Sequence, residues 1–155
     1  MNDISIEPDI VALAADHMQA AAGIRRVSLW QRLPWLPDLH TPAEEEQYWR
    51  MHLLPNCTIL GAAMANRLVG VIAYGDNWIE QLYILPGFQG MGIGSLLLGR
   101  AKEEMDEIRL WTFRRNIGAR AFYRNTALPP RRRPTVPITR KESRMCSIIG
   151  AGVRR

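Results

Sequence analysis

Six residues near the middle of the chain constrain its structure most: Gln89-Gly90-Met91-Gly92-Ile93-Gly94. They stand between a strand-like run, Trp78 to Leu85, and a helix-like run, Gly92 to Glu107. Glycines let the backbone turn tightly and approach a ligand closely. The first amide groups of a helix lack acceptors within it, and the helix dipole is positive at that end. The segment therefore predicts an anion site, for which a diphosphate is the natural ligand.

Two widespread phosphate-binding motifs do not fit these glycines. A P-loop needs a lysine and then a serine or threonine after its last glycine, whereas Gly94 is followed by Ser95 and Leu96. A dinucleotide-binding fingerprint needs the spacing G-x-G-x-x-G, whereas the three glycines here are evenly spaced by two. Both nucleotide-binding classes are therefore excluded as explanations of the motif.

The segment resembles motif A of the GNAT acetyltransferases, Q/R-x-x-G-x-G/A, through Gln89, Gly92 and Gly94. Further along, Asn116 to Tyr123 resembles the family's N-x-x-A-x-x-F-Y helix. The resemblance covers Thr58 to Tyr123, and the residues before it match only in layout, as a pair of helices. It implies an α+β fold: a mixed, mostly antiparallel sheet flanked by helices.

The resemblance also implies a cofactor, acetyl-CoA. In the family, the amides of this loop bind the coenzyme A pyrophosphate, and the strand before the loop pairs with the pantetheine arm. Carried over to this chain, the cofactor-binding residues are Leu82, Tyr83, Ile84, Gln89, Gly90, Met91, Gly92, Ile93, Gly94 and Ser95. No metal site is expected.

The resemblance implies an enzyme that moves an acetyl group to a primary amine by direct attack on the thioester. Tyr123 matches the family's tyrosine that protonates the leaving thiolate, and a tyrosine pKa near ~10 suits a thiol near ~8.5. Glu80 lies where some members place a base that takes the amine proton. The alternatives are a core tyrosine and a solvated strand carboxylate. Asn116 either caps its helix or contacts the cofactor arm.

The acceptor is a small-molecule or peptide amine, and the sequence does not name it. In such proteins, the substrate pocket is usually walled by the first two helices and their loop. The candidates here are Trp30, Trp35, His40 and Tyr48. The alternative for the two tryptophans is a place in the core.

Local patterns predict the remaining elements. Pro8 to Ala22 is expected to be a helix, because apolar residues share one face there. Thr41, Pro42 and Glu44 predict a helix start, and that helix is expected to run to about Leu54. The further expectations are a hairpin of Thr58 to Ala65 with Arg67 to Tyr74, a strand over Ile108 to Phe113, and a helix over Asn116 to Arg124.

Composition favours one domain in a reducing cytoplasm. The chain has 155 residues, 47% of them hydrophobic, which suits a single core. Its two cysteines are too few for a disulfide framework. Met1 to Asp9 hold acids and no basic group, unlike a secretory signal. No apolar run is long enough for a membrane helix. A homodimer is left open.

The sequence changes character after Asn125. We expect an acetyltransferase domain over 1–128 and a basic, proline- and arginine-rich tail over 129–155, which is atypical for the family and is disordered or poorly packed. The tail carries a charge of +7 and the whole chain a net charge of +5, so residues 1–128 carry 5 − 7 = −2 and are mildly acidic. Nucleic-acid binding through the tail is the least favoured function, since the tail lacks interleaved aromatic residues. A non-catalytic GNAT-like protein that binds acyl-CoA or a partner is the main alternative.

The tail also suggests a frameshift. With suitable codons, Asn125 to Pro130 read one base earlier gives H-G-F-A-A, and the family usually has G-F at this point. Ser143 to Ala151 in the same register gives P-D-V-L-Y-H-W-S, which is similar to a terminal strand of the family. Sequencing the coding DNA tests this hypothesis, since an intact gene with unsuitable codons would end it.

Overall fold

The structure is a computed structural model and describes residues 7–35, 40–113, 116–125 and 145–151. It has the predicted α+β class, with a mixed, mostly antiparallel sheet and helices. The strands are β1 (Asp9–Ala12), β2 (Thr58–Met64), β3 (Arg67–Gly75), β4 (Trp78–Ile84), β5 (Glu107–Phe113) and β6 (Met145–Ala151). Each strand neighbours the next one in sequence. The pair β4 and β5 is parallel, whereas β1–β2 and β5–β6 are antiparallel.

Most of the helices lie between β1 and β2, and the others follow β4 and β5. The helices are α1 (Met18–Arg32), α2 (Pro42–Tyr48), α3 (Leu54–Asn56), α4 (Ile93–Glu104) and α5 (Ile117–Asn125). A 3-10 turn, Ala15–His17, precedes α1, and a π-helical segment, Trp49–Leu53, joins α2 to α3. The predicted start of α2 is confirmed, since the Thr41 hydroxyl accepts from the Glu44 backbone N–H at 3.1 Å. In the described ranges, no helix has the length and apolarity to cross a membrane.

The prediction of a helix over Pro8 to Ala22 is wrong for all but its last residues, Met18 to Ala22. Asp9–Ala12 forms β1, antiparallel to β2, and the helix begins at Met18 instead. Gly23, the residue that follows the predicted helix, lies inside α1. The apolar spacing in this region fits a helix locally, but backbone pairing with β2 stabilises a strand there, and that pairing is invisible to a local pattern.

The predicted hairpin of β2 and β3 is confirmed, and the turns at the two ends of β3 share one geometry. Ala65 and Asn66 between β2 and β3 have φ values of 49° and 62°. Asp76 and Asn77 between β3 and β4 have φ values of 50° and 65°. Two successive residues with positive φ make the type I′ turn that suits the twist of a two-residue hairpin.

The chain forms two compact units. The first takes in Met1–Ala73 and Gln81–Leu98, and the second Tyr74–Glu80 and Gly99–Arg155. The first unit has a core cluster in which buried residues from α1, the π-helical segment, β2 and β3 pack together. Its fully buried members include Met18, Ala21, Trp49, Val71 and Ala73.

The second unit is built around β5. Its parallel register with β4 joins Trp78 to Arg109 and Ile79 to Leu110, at the start of β4. The Trp78 and Trp111 rings stack there, with centroids 6.2 Å apart. The buried Tyr74 hydroxyl donates to Glu104 Oε2 at 2.7 Å, which ties the end of β3 to the end of α4.

The backbone of 145–151 forms a strand within the segment expected to be poorly packed. β6 runs antiparallel to β5 from Glu107↔Ala151 to Phe113↔Met145. The composition of the tail did not predict this strand, because a strand at a sheet edge is held by backbone bonds that composition does not report. Residues 126–144 and 152–155, which make up the rest of that tail, lie outside the described residues.

Candidate cofactor site

The glycine segment forms the connection from β4 to α4, as the sequence predicts. Gly90 and Gly92 have φ values of 76° and 83°, in the left-handed region that other residues rarely adopt. The Leu96 N–H donates to the Gly92 carbonyl at 3.0 Å, which closes the first turn of α4. The N–H groups of Ile93, Gly94 and Ser95 therefore lie in the first turn, where a helix offers them no acceptor. This arrangement fits an anion.

A close approach of backbone to helix fixes the start of α4. Gly70 on β3 faces Ile84 and the helix residues Ile93 and Leu97. A Cβ built on Gly70 would lie 2.7 Å from Ile84 Cδ1 and 3.3 Å from Ile93 Cγ2. The missing side chain thus lets the first turn of α4 pack directly on β3 at the end of β4.

The side chain of Gln89 is directed into the protein. Its Nε2 donates to the Ile84 carbonyl at 2.9 Å and to Gln31 Oε1 at 3.4 Å. Its Oε1 accepts from Arg32 Nη2 at 2.9 Å. Gln89 was expected beside the phosphates, and its side chain joins the loop to the last turn of α1.

Two arginines that sequence reasoning missed lie against loop residues. Arg32, on α1, is exposed and bonds to Gln89. The Arg67 guanidinium lies 5.6 Å from the centroid of the Phe88 ring, a cation–π contact. Both cations lie beside the loop that the glycines form, where they favour a bound anion. Because Arg32 lies 57 residues before Gln89, no local signal could have found it.

The backbone N–H groups of β4 do not alternate regularly between the two neighbouring strands, β3 and β5. The Asn77 carbonyl accepts from the Arg109 N–H of β5 at 2.7 Å, so the N–H of Trp78, in the same trans peptide, faces away from β5. If the N–H groups alternated regularly from Trp78 onward, the Leu85 N–H would point toward β5. It donates instead to the Val69 carbonyl of β3 at 2.8 Å. The alternation therefore slips by one residue between Asn77 and Leu85, as it does at a β-bulge.

Tyr83 of β4 lies in a polar cluster with α1 and α2. Arg25 Nη1 donates to Glu45 Oε1 at 2.5 Å, and Glu45 is only 8% exposed. Burial raises the pKa of the Tyr83 hydroxyl, and the nearby Arg25 partly opposes this. The sequence shows Glu45 only as one of three acids that open a helix, so its burial was missed.

Three further predicted site residues lie in the second unit. Tyr123 of α5 is 7% exposed, and its ring meets Phe122 edge-on at 5.2 Å. Glu80 of β4 is exposed. Asn116 caps α5, since its Oδ1 accepts from the Ala119 N–H at 3.1 Å.

The acceptor candidates lie on or beside α1 and α2. Trp30 is 71% exposed, so the alternative of a core position does not apply to it. The core tryptophan is Trp49, which is fully buried. Tyr48 is exposed and its ring lies 5.5 Å from His52, while His40 Nδ1 lies 3.3 Å from Glu44 Oε2. Within the described ranges, no group of three His, Cys, Asp or Glu residues could hold a metal ion.

Known proteins share this fold. The structure of PaiA N-acetyltransferase from Thermoplasma acidophilum in complex with coenzyme A matches with a TM-score of 0.73 at 18% identity, covering 93% of this chain and 98% of that one. The apo form of YjaB from Escherichia coli matches with a TM-score of 0.71 at 19% identity, covering 96% and 99%. At these identities, the likeness concerns the fold.

The sequence matches as well. An uncharacterized N-acetyltransferase from Archaeoglobus fulgidus is 34% identical over 92 residues, which cover 49% of this chain and 60% of that protein. The chain thus spans less than two thirds of that relative's length. The family model described as the acetyltransferase (GNAT) family matches residues 24–127. Because this match covers most of the chain and includes the glycine loop and α5, the protein belongs to the GNAT acetyltransferase family.

Proposed function

We propose that this protein is an N-acetyltransferase that moves an acetyl group from acetyl-CoA to a primary amine. The observation that carries the proposal is the loop at the end of β4, where Gly90 and Gly92 take positive φ at the start of α4. Membership of the GNAT family supports it. Acetyl-CoA is an acetyl thioester, which a neutral amine can attack, and it carries the diphosphate that this loop suits.

In this proposal, the first-turn amides of α4 bind the diphosphate, and Arg32 and Arg67 add positive charge beside it. The pantetheine arm pairs with the edge of β4 over Leu82 to Ile84, like an added strand. The slip in the alternation of β4 supports a further role. A peptide N–H released from the ladder can donate to the thioester oxygen, where negative charge develops as the amine adds.

Two side chains are proposed to move protons. Glu80 accepts the proton that the attacking nitrogen loses, directly or through a water. Tyr123 donates its hydroxyl proton to the sulfur as the C–S bond breaks and the C–N bond forms. The match of Tyr123 to the tyrosine of the family's N-x-x-A-x-x-F-Y helix, inside the region that the family model covers, supports this role. The amine is proposed to enter past Trp30, Trp35, His40 and Tyr48.

A screen of primary amines with acetyl-CoA tests the proposal. Release of free thiol is followed with a thiol reagent, and the acetylated amine is identified by mass. The expected result is amine-dependent thiol release that stops when Gly92 is replaced by valine. Binding of coenzyme A without transfer to any amine, small or peptidyl, would favour the non-catalytic alternative.

A further inference from the structure

The carbonyl of Ile84, the last residue of β4, is held by two side chains from different parts of the chain. The Leu85 N–H donates to Val69 on β3, so the Ile84 carbonyl in the same peptide points away from β3. There it accepts from Ser28 Oγ at 2.9 Å and from Gln89 Nε2 at 2.9 Å. A carbonyl oxygen has two lone pairs. Both are used within the protein, so this carbonyl is not available to a ligand.

Ser28 is a firm anchor for that carbonyl. It is 3% exposed and lies on α1, whose buried residues Met18, Ala21 and Ile24 belong to the core cluster of the first unit. The second donor, Gln89, is itself held by Gln31 and Arg32 of the same helix. The last turns of α1 therefore hold the Ile84 carbonyl in two ways, directly through Ser28 and indirectly through Gln89.

That point is the junction of two proposed binding regions. β4 ends at Ile84, and the turn to the glycine loop closes where the Phe88 N–H donates to the Leu85 carbonyl at 3.0 Å. The pantetheine edge lies before this junction, and the diphosphate loop lies after it. A movement at Ile84 would change the position of one region relative to the other.

We propose that Ser28 is a positioning residue for coenzyme A, which aligns the pantetheine edge of β4 with the diphosphate loop through the Ile84 carbonyl. This role rests on the proposed function. A ligand that bridges two subsites gains affinity only when their separation matches its own length. Loss of the Ser28 hydroxyl should therefore weaken coenzyme A, which spans both subsites, more than a fragment that occupies one.

The test compares Ser28→Ala with the wild-type chain in titrations of three ligands: coenzyme A, pantetheine, and adenosine 3′-phosphate 5′-diphosphate. We expect the affinity for coenzyme A to fall by about 10-fold, on the order of one lost buried hydrogen bond. The two fragments should each change by less than about 2-fold. Ser28→Thr keeps the donor and should recover most of the affinity, and Gln89→Leu should repeat the pattern of Ser28→Ala.

The control variant is Tyr74→Phe, which also removes one buried, hydrogen-bonded hydroxyl, in the second unit. It should leave all three affinities unchanged, and thermal unfolding of each variant shows that it is folded at the titration temperature. Equal weakening of all three ligands in folded Ser28→Ala, or no weakening at all, would overturn the positioning role. A wild-type chain that binds no coenzyme A would overturn the proposed function, and this role with it.

Discussion

The Arg32 guanidinium lies 2.9 Å from the side-chain oxygen of Gln89, which joins the end of α1 to the start of the glycine loop. A guanidinium carries five N–H donors, so Arg32 keeps further N–H groups that can donate to a ligand. Gln89, in contrast, uses its amide on Ile84, Gln31 and Arg32. Under the proposed function, we therefore expect Arg32 to contact a phosphate and Gln89 to support the loop.

Arg32→Gln should weaken coenzyme A by about 5- to 20-fold, because a charge-assisted hydrogen bond contributes on the order of 1.5 kcal/mol. The difference between variant and wild type should shrink as salt is raised, since Arg32 is exposed and its charge is screened. Titration at two salt concentrations measures this. Arg50→Gln is the control: Arg50 is an exposed arginine on the π-helical segment, paired with Glu46 at 2.8 Å. Equal losses in the two variants would argue against a specific role for Arg32.

Gly92→Ala should weaken coenzyme A and lower stability. A residue with a Cβ at φ 83° is strained by roughly 1–2 kcal/mol, and the loop can relieve the strain only by moving its amides. The matched control is Gly23→Ala inside α1, where a Cβ meets nothing within 4 Å. That change should raise the free energy of unfolding by about 0.5–1 kcal/mol and leave binding unchanged. Chemical denaturation measures the change in stability, and titration measures the change in affinity for coenzyme A. Full affinity in Gly92→Ala would show that binding does not require the positive φ at this position.

Tyr123→Phe should lower kcat by about 100-fold, in the range typical of general acid catalysis, and change the KM for acetyl-CoA little. The ring that packs edge-on against Phe122 is kept, so a loss of folding is not expected. Steady-state kinetics with an amine found by the screen measures both constants. Tyr74→Phe, which also removes a buried hydroxyl of the second unit, is the matched control and should leave kcat unchanged. An unchanged kcat in Tyr123→Phe would return this tyrosine to a packing role.

Stability should fall as pH rises above about 10, the pKa of an unfolded tyrosine. The pKa of Tyr74 is raised in the folded chain, first by burial and second by its bond to the Glu104 carboxylate. The unfolded state then loses this proton at a lower pH than the folded state, so the contribution is complete below pH 10 and is lost above it. Tyr74→Phe should flatten the decline between about pH 9 and pH 11 in thermal unfolding. Tyr83, whose pKa is also raised, should account for the decline in stability that remains in Tyr74→Phe.

Local sequence predicts the parts of the site that are local. The glycine loop, the turn between β2 and β3 and the caps Thr41 and Asn116 depend on the conformations of a few adjacent residues, and the structure has all of them. The roles of Ser28 and Arg32 depend on contacts 56 and 57 residues away. No local pattern reports such contacts.

The failure at Pro8 to Ala22 has the same cause. Asp9 to Ala12 pair with Ala63 to Leu60, far along the chain, and this pairing overrides a helical spacing of apolar residues. The burial of Glu45 also depends on packing that the local sequence does not report. Its neighbours Glu44 and Glu46 are more exposed, and only the packing of α2 on α1 places the middle acid against Arg25.

The central claim is that the loop from Gln89 to Gly94 binds the diphosphate of coenzyme A. Calorimetric titration of the purified chain with acetyl-CoA, dephospho-CoA and acetyl pantetheine tests it most directly. We predict that dephospho-CoA, which keeps the diphosphate, retains most of the affinity. Acetyl pantetheine, which lacks it, should bind at least about 100-fold more weakly, since several charge-assisted bonds are lost. Equal affinity for acetyl pantetheine and acetyl-CoA, or no binding by a folded chain, would contradict the account.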